Sequence, residues 1–105
     1  MSLIITPKAA AQVVHAAAER VEGQSAVLRV AAKRDRDGAI DYAMGFDEPR
    51  EEDTVSLQHG VRLLIAPTSI ELLNDTVLDF VYMENEVDPQ FIFRNPNDPN
   101  YQTVT

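Results

Sequence analysis

The chain has 105 residues, 45% of them hydrophobic, and no cysteine, which suits one compact domain covering residues 1–105. The missing thiols exclude disulfides, thiolate zinc sites and cysteine-ligated clusters within a single chain. The formal net charge is −8, divided as six basic and five acidic groups in residues 1–46 against three basic and twelve acidic groups in residues 47–105. An acidic second half repels phosphates, so neither nucleic acid nor an anionic membrane is an expected partner. The surplus charge serves solubility or attracts a basic protein partner. No apolar run approaches the roughly 18 residues that span a bilayer, and Met1 to Thr6 lacks the charged start of a signal peptide. A cytoplasmic protein is expected.

Thr6-Pro7 starts a helix: the threonine hydroxyl can accept an orphan amide, and proline fits the first helical position. Ala10, Val13, Val14, Ala17 and Val21 follow on one face, and Gly23 is suited to cap the end. Two strands come next, Ala26 to Ala32 and Ala39 to Phe46. In the first, Leu28, Val30 and Ala32 share a face; in the second, Ile40, Tyr42, Met44 and Phe46 do. Lys33 to Gly38 is the turn between them.

Asp47 to Asp53 breaks the pattern with charge and proline and reads as a loop. Thr54 to Leu57 and Val61 to Ala66 form a second hairpin around His59-Gly60. Pro67-Thr68-Ser69 opens a short helix carrying Ile70, Leu72 and Leu73. Val77 to Tyr82 and Gln90 to Arg94 make a third hairpin across an acidic turn. Asn95 to Asn100 cannot continue a strand, and a mobile tail is expected from about residue 98. The pattern predicts a mainly β fold with two helices and about six or seven strands, arranged as a mostly antiparallel sandwich or flattened barrel covered by the first helix.

Little in this pattern carries chemistry. Asp35-x-Asp37-Gly38 with Asp41 has hard-cation residues, yet Ala39 fills a ligand place, and Lys33, Arg34 and Arg36 interleave as in a salt-linked turn. His15 and His59 lie far apart in sequence and outside any metal motif. No nucleophile elbow or serine-base arrangement occurs, so an enzyme is not expected.

Several landmarks together are specific. Leu28-Arg29-Val30 leads the first hairpin, Tyr42 and Phe46 keep a fixed spacing, Asp47-Glu48-Pro49 follows, Leu78-Asp79-Phe80-Val81 forms one strand, and Phe91-Ile92-Phe93-Arg94-Asn95-Pro96-Asn97 ends the third hairpin. From Ile5-Thr6 to Asn97 this resembles the A-type iron-sulfur cluster carriers of the HesB and IscA family, and most nearly their cysteine-free DsrR type from sulfur-oxidising bacteria. The resemblance implies the HesB-like β-sandwich or pseudobarrel. It also implies three thiolate positions, one in the first hairpin turn and two in the tail, where this chain has Asp37, Gln102 and Val104.

A carboxylate, an amide and a valine do not replace that soft donor set. No cofactor is therefore expected, and an iron-sulfur cluster least of all. The resemblance implies a non-enzymatic scaffold with an accessory or regulatory, protein-binding role in iron-sulfur or sulfur metabolism. Without a bridging cluster, a monomer is expected. The alternative is binding of iron or another hard metal ion by the carboxylates of Asp35, Asp37 and Asp98.

Overall fold

The structure, a computed structural model, describes residues 3–20 and 26–98. Strand β1 (Ile4–Ile5) leads directly into helix α1 (Pro7–Arg20). Thr6 caps it as its sequence requires: the carbonyl accepts from the Ala10 amide at 2.8 Å and Oγ1 from the Ala9 amide at 3.2 Å. Ala9, Ala10, Val13 and Ala17 are the buried face. Val14, expected there, is 41% exposed because it lies on the flank of that stripe, and Ala9 occupies the opposite flank instead. Val21 and Gly23 lie outside the described residues.

Strands β2 (Val27–Arg34) and β3 (Ile40–Phe46) pair antiparallel from Leu28 opposite Phe46 to Arg34 opposite Ile40. β2 alternates as its period-two pattern requires, with Leu28, Val30 and Ala32 buried. β3 does so less fully: Ile40 is buried, Tyr42 and Phe46 are half-buried, and Met44 is exposed toward the sheet edge. Strands β4 (Thr54–Gln58) and β5 (Val61–Ile65) form a two-residue hairpin in which His59 and Gly60 both have positive φ, 48° and 83°, the geometry that matches strand twist. After helix α2 (Pro67–Ile70), strands β6 (Val77–Val81) and β7 (Gln90–Arg94) form the last hairpin.

The seven strands among the described residues make two sheets, ordered β1-β6-β7 and β3-β2-β5-β4. The three hairpins are antiparallel, but β2–β5 and β1–β6 are parallel, so both sheets are mixed. The two sheets do not close into one barrel, and side chains span both seams. At the β1/β4 seam the Gln58 amide stands in for a missing strand, accepting from the Ile5 amide at 3.0 Å and donating to the Leu3 carbonyl at 3.0 Å. At the β3/β7 seam the Tyr42 and Phe93 rings stack. The core between the sheets and α1 includes Leu3, Ile5, Val30, Leu63, Leu73 and Leu78, each no more than 1% exposed. Ser69 ties α2 to β2: its hydroxyl accepts from the Ala32 amide at 3.1 Å and donates to the Ala32 carbonyl at 3.3 Å.

Candidate functional site

The region of interest is the β2–β3 turn and the chain leaving β7, because the thiolate positions of the resemblance fall there. The turn is built by Asp35. Its amide donates to the Ala39 carbonyl at 2.8 Å, and its Oδ1 accepts from the Asp37 amide at 2.9 Å and the Ala39 amide at 3.1 Å. Gly38 follows with φ 84°, which favours glycine. Arg34 donates to the Gly38 carbonyl at 2.7 Å. Asp35 therefore spends a carboxylate oxygen on the loop itself, while Asp37 projects from an exposed position.

The arm leaving β7 is pinned by its asparagines. Buried Asn95 donates through Nδ2 to the Leu72 carbonyl at 2.6 Å, and its Oδ1 accepts from the Asn97 amide at 2.9 Å. Asn97 Nδ2 donates to the Asn74 carbonyl at 2.9 Å. These bonds satisfy carbonyls of the α2–β6 connection and aim the next residue at the other sheet. There the Tyr42 hydroxyl donates to Asp98 Oδ2 at 2.9 Å, while the Tyr42 ring stacks on Phe93. Burial first, and then the Asp98 carboxylate, push the Tyr42 hydroxyl up to about 12. Asp98 is thus held against β3, the strand that leaves the Asp35–Gly38 turn. Gln102 and Val104, with the remainder of the expected tail at 99–105, lie outside the described residues.

Among the described residues, no three histidine, aspartate or glutamate side chains converge as a metal would require. His15 pairs with Glu19 on the surface of α1 at 2.8 Å, and His59 is taken up in the β4–β5 turn.

Two ion-pair constructions absent from the sequence reading explain other landmarks. Arg29, outward on β2, donates to Asp47 at 2.6 Å, to both oxygens of Asp53 at 2.7 and 2.6 Å, and to the Glu48 carbonyl at 3.2 Å. This fork holds the loop 47–53 against the sheet. Arg29 lowers the Asp53 carboxyl to about 2 and also holds that of Asp47 below the usual carboxylate range. Asp79 accepts from Thr6 Oγ1 at 2.7 Å, the Phe80 amide at 2.8 Å and Arg94 at 2.6 Å, joining the α1 cap to both strands of the third hairpin. Burial opposes its charge, but these bonds outweigh it and keep the carboxyl low. The Leu-Asp-Phe and Asn-Pro-Asn runs are therefore structural fasteners.

The iron-binding protein IscA of Klebsiella pneumoniae strain 342 is 36% identical over 98 residues, 92% of this chain and 88% of its own length. The putative iron-sulfur cluster insertion protein ErpA of Bordetella petrii is 39% identical over 97 residues, 90% of this chain and 76% of its own. This chain belongs to the IscA/ErpA family. A protein named SufA from Bacillus subtilis is 36% identical over 77 residues, and the chain spans 62% of its length. No family model matches the chain. The crystal structure of an IscA with a two-iron, two-sulfur cluster superposes with a TM-score of 0.74 at 27% identity, covering 90% of this chain and 85% of that one. Escherichia coli SufA shares the fold with a TM-score of 0.74 at 22% identity, over 98% of this chain and 88% of its own. Against that background this IscA/ErpA-family member has the scaffold and no cysteine at any position.

Proposed function

We propose that this chain is a cluster-free IscA-type scaffold that acts through protein contacts, as an accessory or regulatory factor in iron-sulfur or sulfur metabolism. One observation carries the reading: the fold superposes on that of an IscA over 90% of this chain, while the sequence has no cysteine. Asp37, Gln102 and Val104 are the positions that take the place of the family's ligands. Iron in a sulfide cluster needs soft, anionic sulfur donors, and these three side chains supply none. Scaffold without cargo leaves surfaces for partners, and the charge of −8 favours basic ones. Among the described residues no helix is long and apolar enough to cross a membrane. The DsrR-type resemblance supports a role in sulfur oxidation. Anaerobic reconstitution with iron and sulfide tests the reading, which expects no bound cluster.

One observation favours a second reading, in which a hard cation binds at Asp35, Asp37 and Asp98. The Tyr42 hydroxyl draws Asp98 onto the strand that leaves the turn. Calorimetric titration with ferric iron, manganese, calcium and magnesium separates the two. The scaffold reading expects affinity no better than about millimolar, unchanged by Asp37→Ala; a tighter site abolished by Asp37→Ala establishes the cation reading.

A further inference from the structure

The β6–β7 hairpin ends in a tip that the fold leaves uncovered. Val81 pairs with Gln90, and the residues between them turn back where the Glu86 amide donates to the Met83 carbonyl at 3.0 Å and Asn85 takes φ 66°. On this tip Tyr82 is 69% exposed, Val87 89% and Met83 41%. Single exposed apolar residues are ordinary on a surface, but three within one short tip form a patch. A groove opens beside them against α1, lined by Lys8, Ala11, Gln12, Phe80, Val81 and Pro89 together with Tyr82. Tyrosine and methionine are the residue types enriched where proteins meet, since both bring large contact area.

Charge selects the occupant. Glu84, Glu86 and Asp88 are interleaved with the apolar residues and are all exposed. From Leu63 to Phe93 the chain has no lysine, arginine or histidine, so no cation of that stretch offsets these carboxylates. Among the described residues Lys8 is the one cation lining the groove, on the α1 side. A second copy would bring the same carboxylates, and an anionic membrane would be repelled.

We infer that the tip and its groove dock a basic segment of a partner protein, with one or two apolar anchors seated between Tyr82 and Val87. Lysines or arginines of that segment lie over Glu84, Glu86 and Asp88, and its uncharged side faces Lys8. This rests on the reading of the chain as a protein-contact factor and adds the surface and the chemistry of the partner.

The test uses the full chain, labelled for nuclear magnetic resonance, and a short synthetic peptide with two leucine anchors among lysines. Shifts are expected at 80–90 and on α1 from Lys8 to Gln12, weakening with salt. Tyr82→Ser with Val87→Ser is expected to weaken binding about tenfold, as is neutralising Glu84, Glu86 and Asp88 to their amides. Neutralising the equally exposed Glu51 and Glu52, on a different loop, is expected to leave it unchanged. All of these variants sit in exposed turns, and an unchanged spectrum elsewhere certifies their fold. Shifts spread over every acidic surface, or binding indifferent to Tyr82 and Val87, would overturn the proposal. So would concentration-dependent shifts of the tip without peptide, which would assign it to a second copy. Peptide mapping elsewhere removes this surface and leaves the scaffold reading standing. A reconstituted cluster removes that reading without touching the tip.

Discussion

Tyr42 and Phe93 stack face to face across the gap between the two sheets, their ring centroids 4.4 Å apart and their planes 3° from parallel. Because β3 and β7 belong to different sheets, this pair does at one seam what backbone bonds do within a sheet. Phe93→Ala or Tyr42→Ala is expected to cost about 2–4 kcal/mol, somewhat less than a fully buried aromatic truncation because both rings are only half-buried. Tyr42→Phe keeps the stack and loses the bond to Asp98, at about 1 kcal/mol. Urea unfolding of the three variants checks this ranking. Equal losses for Tyr42→Phe and Tyr42→Ala would move the energy from the rings to the hydroxyl.

The same hydroxyl makes stability sensitive to alkali. Its folded value, pushed up to about 12, exceeds the ordinary 10.0, so the folded state favours the protonated phenol. The contribution is complete below pH 10 and is lost as pH rises toward 12. The urea midpoint should fall over that interval in the native chain and stay flatter in Tyr42→Phe. Parallel curves would show that Tyr42 is not the group responsible.

Acid sensitivity has the opposite sign. Arg29 holds Asp53 near 2, below its ordinary 3.8, so the ion pair stabilises fully above that ordinary value and is lost as pH falls toward 2. Arg29→Met should lower the urea midpoint at neutral pH, because Asp53 keeps its charge without its partner, and should make the acid decline shallower. An acid decline as steep as the native one would assign it to Asp79 and the other carboxylates.

Local pattern made the hairpins, the first helix and the start of the second legible; α2 ends at Ile70, so Leu72 and Leu73, expected on it, lie in the turn that follows. Period-two alternation placed β2, His59-Gly60 placed a turn that needs two positive φ values, and Thr6-Pro7 placed the start of α1. What local pattern does not encode is which distant strands meet. The parallel pairings of β2 with β5 and of β1 with β6 depend on connections across the fold, and a strand as short as Ile4–Ile5 leaves no periodic trace. Val55 and Leu57 alternate correctly on β4, yet they are 47% and 69% exposed, because alternation identifies one face without saying which face is covered.

The candidate site was legible as positions and not as geometry. Asp35 reads as part of a salt-linked turn and, in the alternative, as a cation ligand; in the fold its Oδ1 accepts from the Asp37 and Ala39 amides and so shapes the turn. Asp98 falls where the chain reads as a loose tail, yet the bonds of Asn95 and Asn97 carry it to Tyr42. The signal that could have shown this is the Asn-Pro-Asn run itself, whose amides can satisfy carbonyls of a neighbouring loop. Arg29 gave a weaker signal, a cation on the outward face of a strand followed by aspartates at 47 and 53.

A monomer is expected at physiological salt. The chain has no thiolate to hold a cluster bridging protomers, and twelve carboxylates against three basic groups in residues 47–105 repel like faces. Sedimentation equilibrium should return the mass of one 11.7 kDa chain. A dimer tighter than about micromolar would show that ordinary surface burial suffices and would permit a site shared between chains.

The central claim is that this IscA/ErpA-family scaffold carries no cluster, and anaerobic reconstitution with iron and sulfide tests it most directly. After desalting, the native chain is expected to show no charge-transfer absorption and no stoichiometric iron or sulfide. Introducing Asp37→Cys, Gln102→Cys and Val104→Cys together is expected to give a bound cluster, because these substitutions restore the thiolates that the resemblance implies on a chain that keeps the family fold. A stable, stoichiometric cluster on the native, cysteine-free chain would contradict the account.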